Sequence, residues 1–447
     1  MTLRFGTDGV RGVANRELTP EIALALGRAL VRVLGRDPFL VARDTRVSGT
    51  MLEAALSAGI CAEGGSVQSA GVLPTPGLAY LARVAELPAA MISASHNPYT
   101  DNGIKVFAGG GTKVDDEQQD QIEAALAELV GSSERAESGA AVGTSTRVAG
   151  SIDRYAVFLM SALEGRTLDG LRVVLDCANG AAYGVAPKVF RDLGAEVEVI
   201  NAAPDGVNIN VECGSQHPEH LQHAVRSAGA QVGFAFDGDA DRMIAVDERG
   251  QVVDGDHVLA MCATDLQARG LLDHNVVVAT VMSNLGLARA LEPLGIELVT
   301  TAVGDRSVTA AMAERGAVLG GEESGHLVFT RVAPVGDGTL SALMVADLML
   351  RSGRALSELA SVVHKFPQAR RNVTAPAAAA HADAVVAAVQ AAETQLGANG
   401  RVLLRPSGTE PIVRVMVEAE DAAVAEAITD TLAAAVARAG SHETPSA

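Results

Sequence analysis

One order of elements recurs three times along this chain, and few folds can accommodate it. Apolar runs and the turn residues that flank them predict a strand over 39–42, a helix over 50–63, a strand over 66–70, a helix over 76–84 and a strand over 89–92. A second set is expected over 171–175, 184–193, 196–200, 218–227 and 231–236, and a third over 275–280, 285–291, 297–301, 306–314 and 317–319. Strands alternating with helices at this spacing need right-handed crossovers, which give mainly parallel sheets. The expected fold class is α/β, with three similar domains whose sheets are mainly parallel and mixed.

At 447 residues the chain is too long for one hydrophobic core. The small polar stretch 131–139 reads as a surface connection, and Pro367 to Pro376 marks entry to a last segment. There Ala-rich helical stretches surround a strand expected over 412–417. The expected division is three α/β domains at 1–150, 151–252 and 253–366 and a smaller α+β domain at 367–447.

The loop after the final strand differs from one repeat to the next. The first repeat gives Ser95-His96-Asn97-Pro98, the second Asp237-Gly238-Asp239-Ala240-Asp241-Arg242, and the third Gly321-Glu322-Glu323-Ser324-Gly325-His326. Ligands bind at the carboxyl ends of parallel strands, so these three loops are expected to form three walls of one cleft.

The first loop is either an ordinary turn, since Ser, His, Asn and Pro all favour turns and caps, or the seat of a nucleophile, Ser95. In the second, Asp237, Asp239 and Asp241 alternate with small residues, so that three carboxylates can point at one hard cation, Mg²⁺ or Ca²⁺. An EF-hand is rejected, because Arg242 stands where that loop needs glycine and the preceding 232–236 reads as a strand. Three carboxylates leave coordination positions for a substrate phosphate or a phosphorylated side chain.

Arg405-Pro406-Ser407-Gly408-Thr409-Glu410-Pro411 joins a guanidinium, two hydroxyls and a glycine, a combination suited to a phosphate dianion. Lys105 is one of four lysines in the chain, with Lys113, Lys188 and Lys365. Lysine can release a proton where arginine rarely does, so Lys105 is a candidate acid or base beside the alternative of a plain surface lysine. Arg11 lies among the glycines of Phe5 to Gly12, a pattern for close backbone approach to a ligand. His217, His220 and His223 diverge on a helix and are read as surface residues rather than zinc ligands.

A net charge of −19 disfavours nucleic acid or an anionic membrane as partner, so an anionic substrate must be held by local cations. Cys61, Cys177, Cys213 and Cys262 show no paired spacing, and no apolar run is long enough to span a bilayer. A reduced, cytoplasmic setting is expected.

Taken in order, Phe-Gly-Thr-Asp-Gly-Val-Arg-Gly at 5–12, Ile-Ser-Ala-Ser-His-Asn-Pro at 92–98, Asp-Asn-Gly-Ile-Lys at 101–105, Asp-Gly-Asp-Ala-Asp-Arg at 237–242, Gly-Gly-Glu-Glu-Ser-Gly-His at 320–326 and Arg-Pro-Ser-Gly-Thr-Glu-Pro at 405–411 resemble the α-D-phosphohexomutase superfamily, most closely its bacterial phosphoglucosamine mutase branch. The resemblance implies a heart-shaped enzyme of four domains around a central cleft. It implies conversion of glucosamine 6-phosphate to glucosamine 1-phosphate through a bisphosphorylated sugar, towards UDP-N-acetylglucosamine and cell-wall precursors. Ser95 would be a phosphoserine, and Mg²⁺ would be held by Ser95, Asp237, Asp239 and Asp241. Arg11 and Lys105 would flank the acceptor hydroxyl, His96 and Arg242 support the phosphate, and Glu322 and Ser324 bind sugar hydroxyls. Arg405, Ser407, Gly408, Thr409 and Arg414 would bind the phosphate not being transferred. Movement of the last domain near Pro367 is expected to let the intermediate turn over. Phosphomannomutase or phosphoglucomutase activity, and a catalytically silent sugar-phosphate-binding protein, are the alternatives; a homodimer is left open.

Overall fold

Strands buried on both faces dominate the sheets, as parallel strands covered by helices on both sides require. The computed structural model describes residues 9–132, 136–407 and 411–441. The first sheet contains β1 (Val10–Val13), β2 (Phe39–Arg43), β3 (Val67–Val72), β4 (Ala89–Ile92), β5 (Asp101–Phe107) and β6 (Ser145–Arg147), in the order β1-β5-β4-β2-β3-β6. β4, β2, β3 and β6 run parallel, and β5 returns antiparallel to β4. The accompanying helices are α1 (Pro20–Leu34), α2 (Gly49–Ala62), α3 (Thr75–Ala85) and α4 (Asp116–Leu129).

Alternate strand residues, Phe39 and Val41, Ala90 and Ile92, Ile104 and Val106, share one core with Leu26 and Leu30 of α1 and Leu52 and Leu56 of α2. Each of those leucines contributes roughly 1.5–3 kcal/mol on burial. α1 and α2 pack backbone against backbone. A Cβ on Gly27 would lie 2.2 Å from the Leu56 carbonyl oxygen, and one on Gly59 2.0 Å from that of Leu24.

The second sheet holds β7 (Arg172–Asp176), β8 (Glu196–Ile200), β9 (Val232–Phe236), β10 (Met243–Asp247) and β11 (Val252–Val253), ordered β11-β10-β9-β7-β8, with α5 (Ser151–Ser161), α6 (Ala186–Asp192) and α7 (Glu219–Ala228). Leu221 and Val225 turn the apolar stripe of α7 inward, while His217, His220 and His223 are exposed. Val232–Phe236 is a strand, in keeping with rejection of the EF-hand.

The third sheet is β13-β12-β14-β15, from β12 (Val276–Thr280), β13 (Glu297–Thr301), β14 (Leu319–Gly321) and β15 (Leu327–Phe329). Its neighbours along the chain are α8 (Gly255–Ala268), α10 (Asp305–Arg315), α11 (Gly338–Ser352) and α12 (Leu356–Ala360), while α9 (Leu285–Leu291) comes after β12 in sequence. In all three sheets a parallel strand leads directly into an antiparallel return, β4 to β5, β9 to β10 and β14 to β15. The three loops singled out in the sequence are these connections.

The chain divides into two compact units, one of residues 1–282 and 296–362, the other of 283–295 and 363–447. In the second, β16 (Gln368–Thr374), β17 (Gly400–Pro406) and β18 (Ile412–Ala419) form an antiparallel sheet ordered β16-β18-β17, backed by α13 (Asp383–Leu396) and α14 (Ala422–Ser441). The stretch from Pro367 to Pro376 that marks entry to the last segment contains β16. Among the described residues no helix is long and apolar enough to cross a membrane.

Glu418 organises this second unit. It has no exposed surface, and it accepts from Arg401 Nε at 2.7 Å, Gln368 Nε2 at 2.7 Å, Asn284 Nδ2 at 3.2 Å and the Leu285 N–H at 2.8 Å. The carboxylate thereby ties the start of α9 to β16, β17 and β18. Removing it would strand several buried donors, although Arg401 is 27% exposed and can regain water. Glu418→Ala is expected to destabilise the unit by about 2–3 kcal/mol, read as a lower urea midpoint for its unfolding.

Candidate active site

Ser95 stands on the β4–β5 connection with a φ of 52°, in the left-handed region, and is 2% exposed. Its Oγ donates to Asp237 Oδ2 at 2.5 Å. His96 Nδ1 lies 3.3 Å from the same oxygen. Burial, reinforced by Arg242 and Arg11, pushes the His96 imidazole down to about 4, so it is neutral near pH 7. The hydroxyl thus faces a carboxylate cluster, and its histidine neighbour is a poor proton acceptor.

That cluster is Asp237, Asp239 and Asp241, all buried, each with a carboxylate oxygen within 4.8 Å of the others. The loop is tight enough that a Cβ on Gly238 would sit 2.5 Å from the Ser95 carbonyl oxygen. Lys105 Nζ donates to Asp239 Oδ2 at 2.7 Å and stands 3.5 Å from Asp241 Oδ2. Lys105 is 3% exposed, which removes the surface-lysine reading. β5 brings it there: Lys105 pairs with Met91 in the antiparallel register, so the chain does fold back towards Ser95.

Burial, with Asp241 and Asp239 beside it, raises the Asp237 carboxyl well above the usual carboxylate range. Burial opposes the charged form of Asp241 as well, but Lys105, His326 and Arg242 outweigh it and hold that carboxyl well below the usual range. The buried Oδ1 atoms of Asp239 and Asp241 have no hydrogen-bond partner among the described residues. Three hard oxygen donors at this spacing, two with an unsatisfied atom, fit a divalent cation.

The third loop joins the site. The Met243 N–H donates to the Gly325 carbonyl at 3.0 Å, and His326 Nδ1 is 3.7 Å from Asp241 Oδ2. Glu322 Oε1 accepts from the Gly304 N–H at 3.1 Å, whereas the buried Ser324 Oγ has no hydrogen-bond partner among the described residues. Arg242 sends its backbone N–H to Asp237 Oδ1 at 3.2 Å. Arg11 lies on β1 opposite Gly103, the residue two before Lys105. Residues 5–8 of its motif lie outside the described residues.

In the C-terminal unit, Arg405 on β17 faces Arg414 on β18 directly across the ladder. Like charges opposed in this way are destabilising unless an anion joins them. Ser407 closes the hairpin, its N–H donating to the Ile412 carbonyl at 2.7 Å. Gly408 and Thr409 lie outside the described residues.

Sequence reasoning missed several residues. Thr75, at the start of α3, donates its hydroxyl to Asp239 Oδ2 at 2.6 Å and its N–H to the Asp239 carbonyl at 2.9 Å. Asp44 and Arg46 come just after β2 and Asn210 after β8, and all three reach the Ser95 loop. The available signal was position: the carboxyl end of β2 is a fourth strand end lining the same loops.

Residues 2–130 match the family described as Phosphoglucomutase/phosphomannomutase, alpha/beta/alpha domain I, residues 153–250 its domain II, residues 254–366 its domain III and residues 369–435 its C-terminal domain. The phosphoglucosamine mutase of Rhodococcus jostii is 52% identical over 444 residues, covering 97% of this chain and 99% of that protein. That of Symbiobacterium thermophilum is 48% identical, covering 95% and 96%. Among solved structures, a phosphoglucomutase/phosphomannomutase family protein from Burkholderia thailandensis superposes with a TM-score of 0.81 at 26% identity, covering 98% of each chain. The N-acetylphosphoglucosamine mutase of Aspergillus fumigatus, solved with GlcNAc-6P and magnesium, shares the fold at 17% identity, with a TM-score of 0.68 and coverage of 98% and 96%.

The buried carboxylates make stability depend on metal and on pH. Asp237 binds its proton more tightly folded than unfolded, so its contribution favours folding at low pH and is lost as pH rises through the raised folded value. Without divalent metal at neutral pH, Asp237→Asn is therefore expected to melt at a higher temperature than the unaltered protein and to show a shallower decline with pH. Added Mg²⁺ is expected to reverse the ranking, stabilising the unaltered protein more than the variant. Scanning calorimetry with and without Mg²⁺ reads both effects.

Proposed function

The chain belongs to the phosphoglucomutase/phosphomannomutase family, and we propose that it interconverts glucosamine 6-phosphate and glucosamine 1-phosphate, with Ser95 as the phosphoryl carrier. The placement of the Ser95 hydroxyl on Asp237, rather than on a competent imidazole base, carries the reading. A hydrolytic serine needs a base to take its proton. A serine that arrives already phosphorylated needs charge neutralisation and alignment instead. Relatives about 50% identical over nearly the whole chain bear the phosphoglucosamine mutase name, which favours glucosamine over other sugars.

In the proposed cycle the bond between phosphorus and Ser95 Oγ breaks as a bond to the acceptor hydroxyl of the sugar forms. The hydroxyl proton is taken up by the Lys105–Asp239 pair: Lys105 Nζ passes the proton it donates to Asp239 Oδ2 across to that carboxylate as it receives the one from the hydroxyl. Arg11, His96 and Arg242 orient the phosphate, and Glu322 and Ser324 hold sugar hydroxyls. Arg405, Ser407, Gly408, Thr409 and Arg414 are assigned to the phosphate that stays behind, where the opposed guanidinium pair gains an anion between like charges. Return of the phosphoryl group from the bisphosphorylated sugar to Ser95 closes the cycle. Mg²⁺ bound by Asp237, Asp239, Asp241 and the Ser95 phosphate would supply neutralisation of the charge that builds on the transferring group.

Within this reading 1–150 is the phosphoserine domain, 151–252 the metal domain, 253–366 the sugar domain and 367–447 the phosphate domain. The product would feed UDP-N-acetylglucosamine and cell-wall precursor synthesis in the cytoplasm. The retained serine and complete triad oppose a catalytically silent binding protein.

Ser95→Ala is expected to lower kcat by about a thousandfold or more. Turnover of glucosamine 6-phosphate is expected to exceed that of the glucose and mannose 6-phosphates; a clear preference for mannose would replace the amino-sugar assignment with a phosphomannomutase one.

A further inference from the structure

The loop that carries Ser95 is held from behind by a side chain with no access to substrate. Arg46 is 1% exposed. Its guanidinium has five N–H donors in a rigid planar fork, and every one is used. Nε donates to Asp44 Oδ2 at 2.8 Å. Nη1 donates to the carbonyls of Pro98 and Asp101, and Nη2 to those of Ser95 and Asn97, each at 2.8 Å. Carbonyls from Ser95, in the connection between β4 and β5, to Asp101, at the start of β5, are thus gathered on one planar group.

A second donor comes from the segment after β8, in the neighbouring sheet's domain. Asn210 Nδ2 donates to the Ser95 carbonyl at 2.9 Å and to the Asn97 carbonyl at 3.2 Å, the same two that Arg46 Nη2 holds. Asp44 completes the arrangement from the end of β2: its Oδ2 accepts from Ser93 Oγ at 2.6 Å, and Ser93 Oγ accepts from the Ser95 N–H at 2.9 Å. The Ser95 C=O is therefore fixed by groups outside the turn, and its N–H by Ser93, whose hydroxyl Asp44 holds from outside.

We propose that Arg46 and Asn210 are positioning residues for phosphoryl transfer, which clamp the carbonyls of the Ser95 loop so that Oγ keeps its place on the aspartate cluster in both half-reactions. The inference rests on the reading of Ser95 as phosphoryl carrier. Neither residue touches the reacting atoms; each acts through the Ser95 backbone.

The requirement is geometric. A left-handed φ at a non-glycine residue is strained and persists only where the surroundings over-determine it. Six hydrogen bonds to four carbonyls supply that determination. The Asp44–Arg46 pair is neutral as a unit, both side chains being fully buried, so the clamp adds no net charge beside the phosphate. Lysine at 46 would keep the charge but offer three donors on one rotatable nitrogen, too few and too compact for carbonyls spread from Ser95 to Asp101.

The test separates position from stability. Asn210 has a φ of 58°, so Asn210→Gly removes the amide and leaves the backbone conformation accessible. Asn210→Gly is expected to keep a thermal midpoint within a few degrees of the unaltered protein while kcat falls about ten- to a hundredfold and KM changes by less than about threefold. Arg46→Lys, with its charge retained, is expected to lose at least as much kcat, so the conservative residue does not rescue. Folded Asn210→Gly protein with unaltered kcat, or a loss confined to KM, would overturn the clamp; should Arg46→Lys fail to fold, Asn210→Gly decides alone. Ser95→Ala measured alongside keeps the two ideas apart. If it retains turnover, the carrier assignment fails; if it is inactive while both clamp variants turn over normally, the clamp alone fails.

Discussion

Three carboxylates buried within 4.8 Å of one another are the constraint around which the larger unit is arranged. Left alone, such a cluster would repel itself and push up its own proton affinities, as it does at Asp237. The surroundings answer with Lys105, Arg242 and His326, which hold Asp241 ionised, and with hydroxyl donors from Thr75 and Ser95. The compensation is incomplete, because two carboxylate oxygens have no hydrogen bond among the described residues. A site with unspent negative potential, a serine oxygen at its edge and cations around its rim suits phosphoryl transfer better than hydrolysis by an activated serine.

The fold delivers these groups by repeating one device. In each of the three sheets one parallel strand turns and returns antiparallel through β5, β10 or β15. The turn is short in every case, so the residues at the carboxyl end of the parallel strand are fixed from two sides. Ser95, the aspartates, and Glu322 with Ser324 occupy these turns. The return strand does further service in the first sheet, since β5 carries Lys105 to the cluster and β1, laid against it, carries Arg11.

Much of this was legible in the sequence because parallel strands buried on both faces announce themselves as apolar runs, and three repeats made the strand-end loops comparable. The strands over 196–200 and 297–301 and the helix over 285–291 coincide with β8, β13 and α9. The return strands were not legible. β5 opens with Asp101-Asn102-Gly103, residues that favour turns, and β15 has only three residues, so neither shows a period-two pattern over a useful length. Lys105 was open between a surface and a catalytic reading because its burial depends on β5. Arg46 and Asn210 carried no local signal at all: an arginine after a strand usually faces solvent, and only the tertiary structure turns four of its five donors inward onto another loop.

The measurement that bears most directly on Ser95 as carrier tracks the phosphoryl group itself. Active protein whose Ser95 bears radiolabelled phosphate is mixed with unlabelled glucosamine 6-phosphate, and the label is traced in protein and sugar through a single turnover. Label should leave Ser95 and appear in the sugar phosphates at least as fast as steady-state turnover, with peptide mass placing the remainder on Ser95. Active protein without phosphate on Ser95, or label that stays on the protein while product forms, would contradict it.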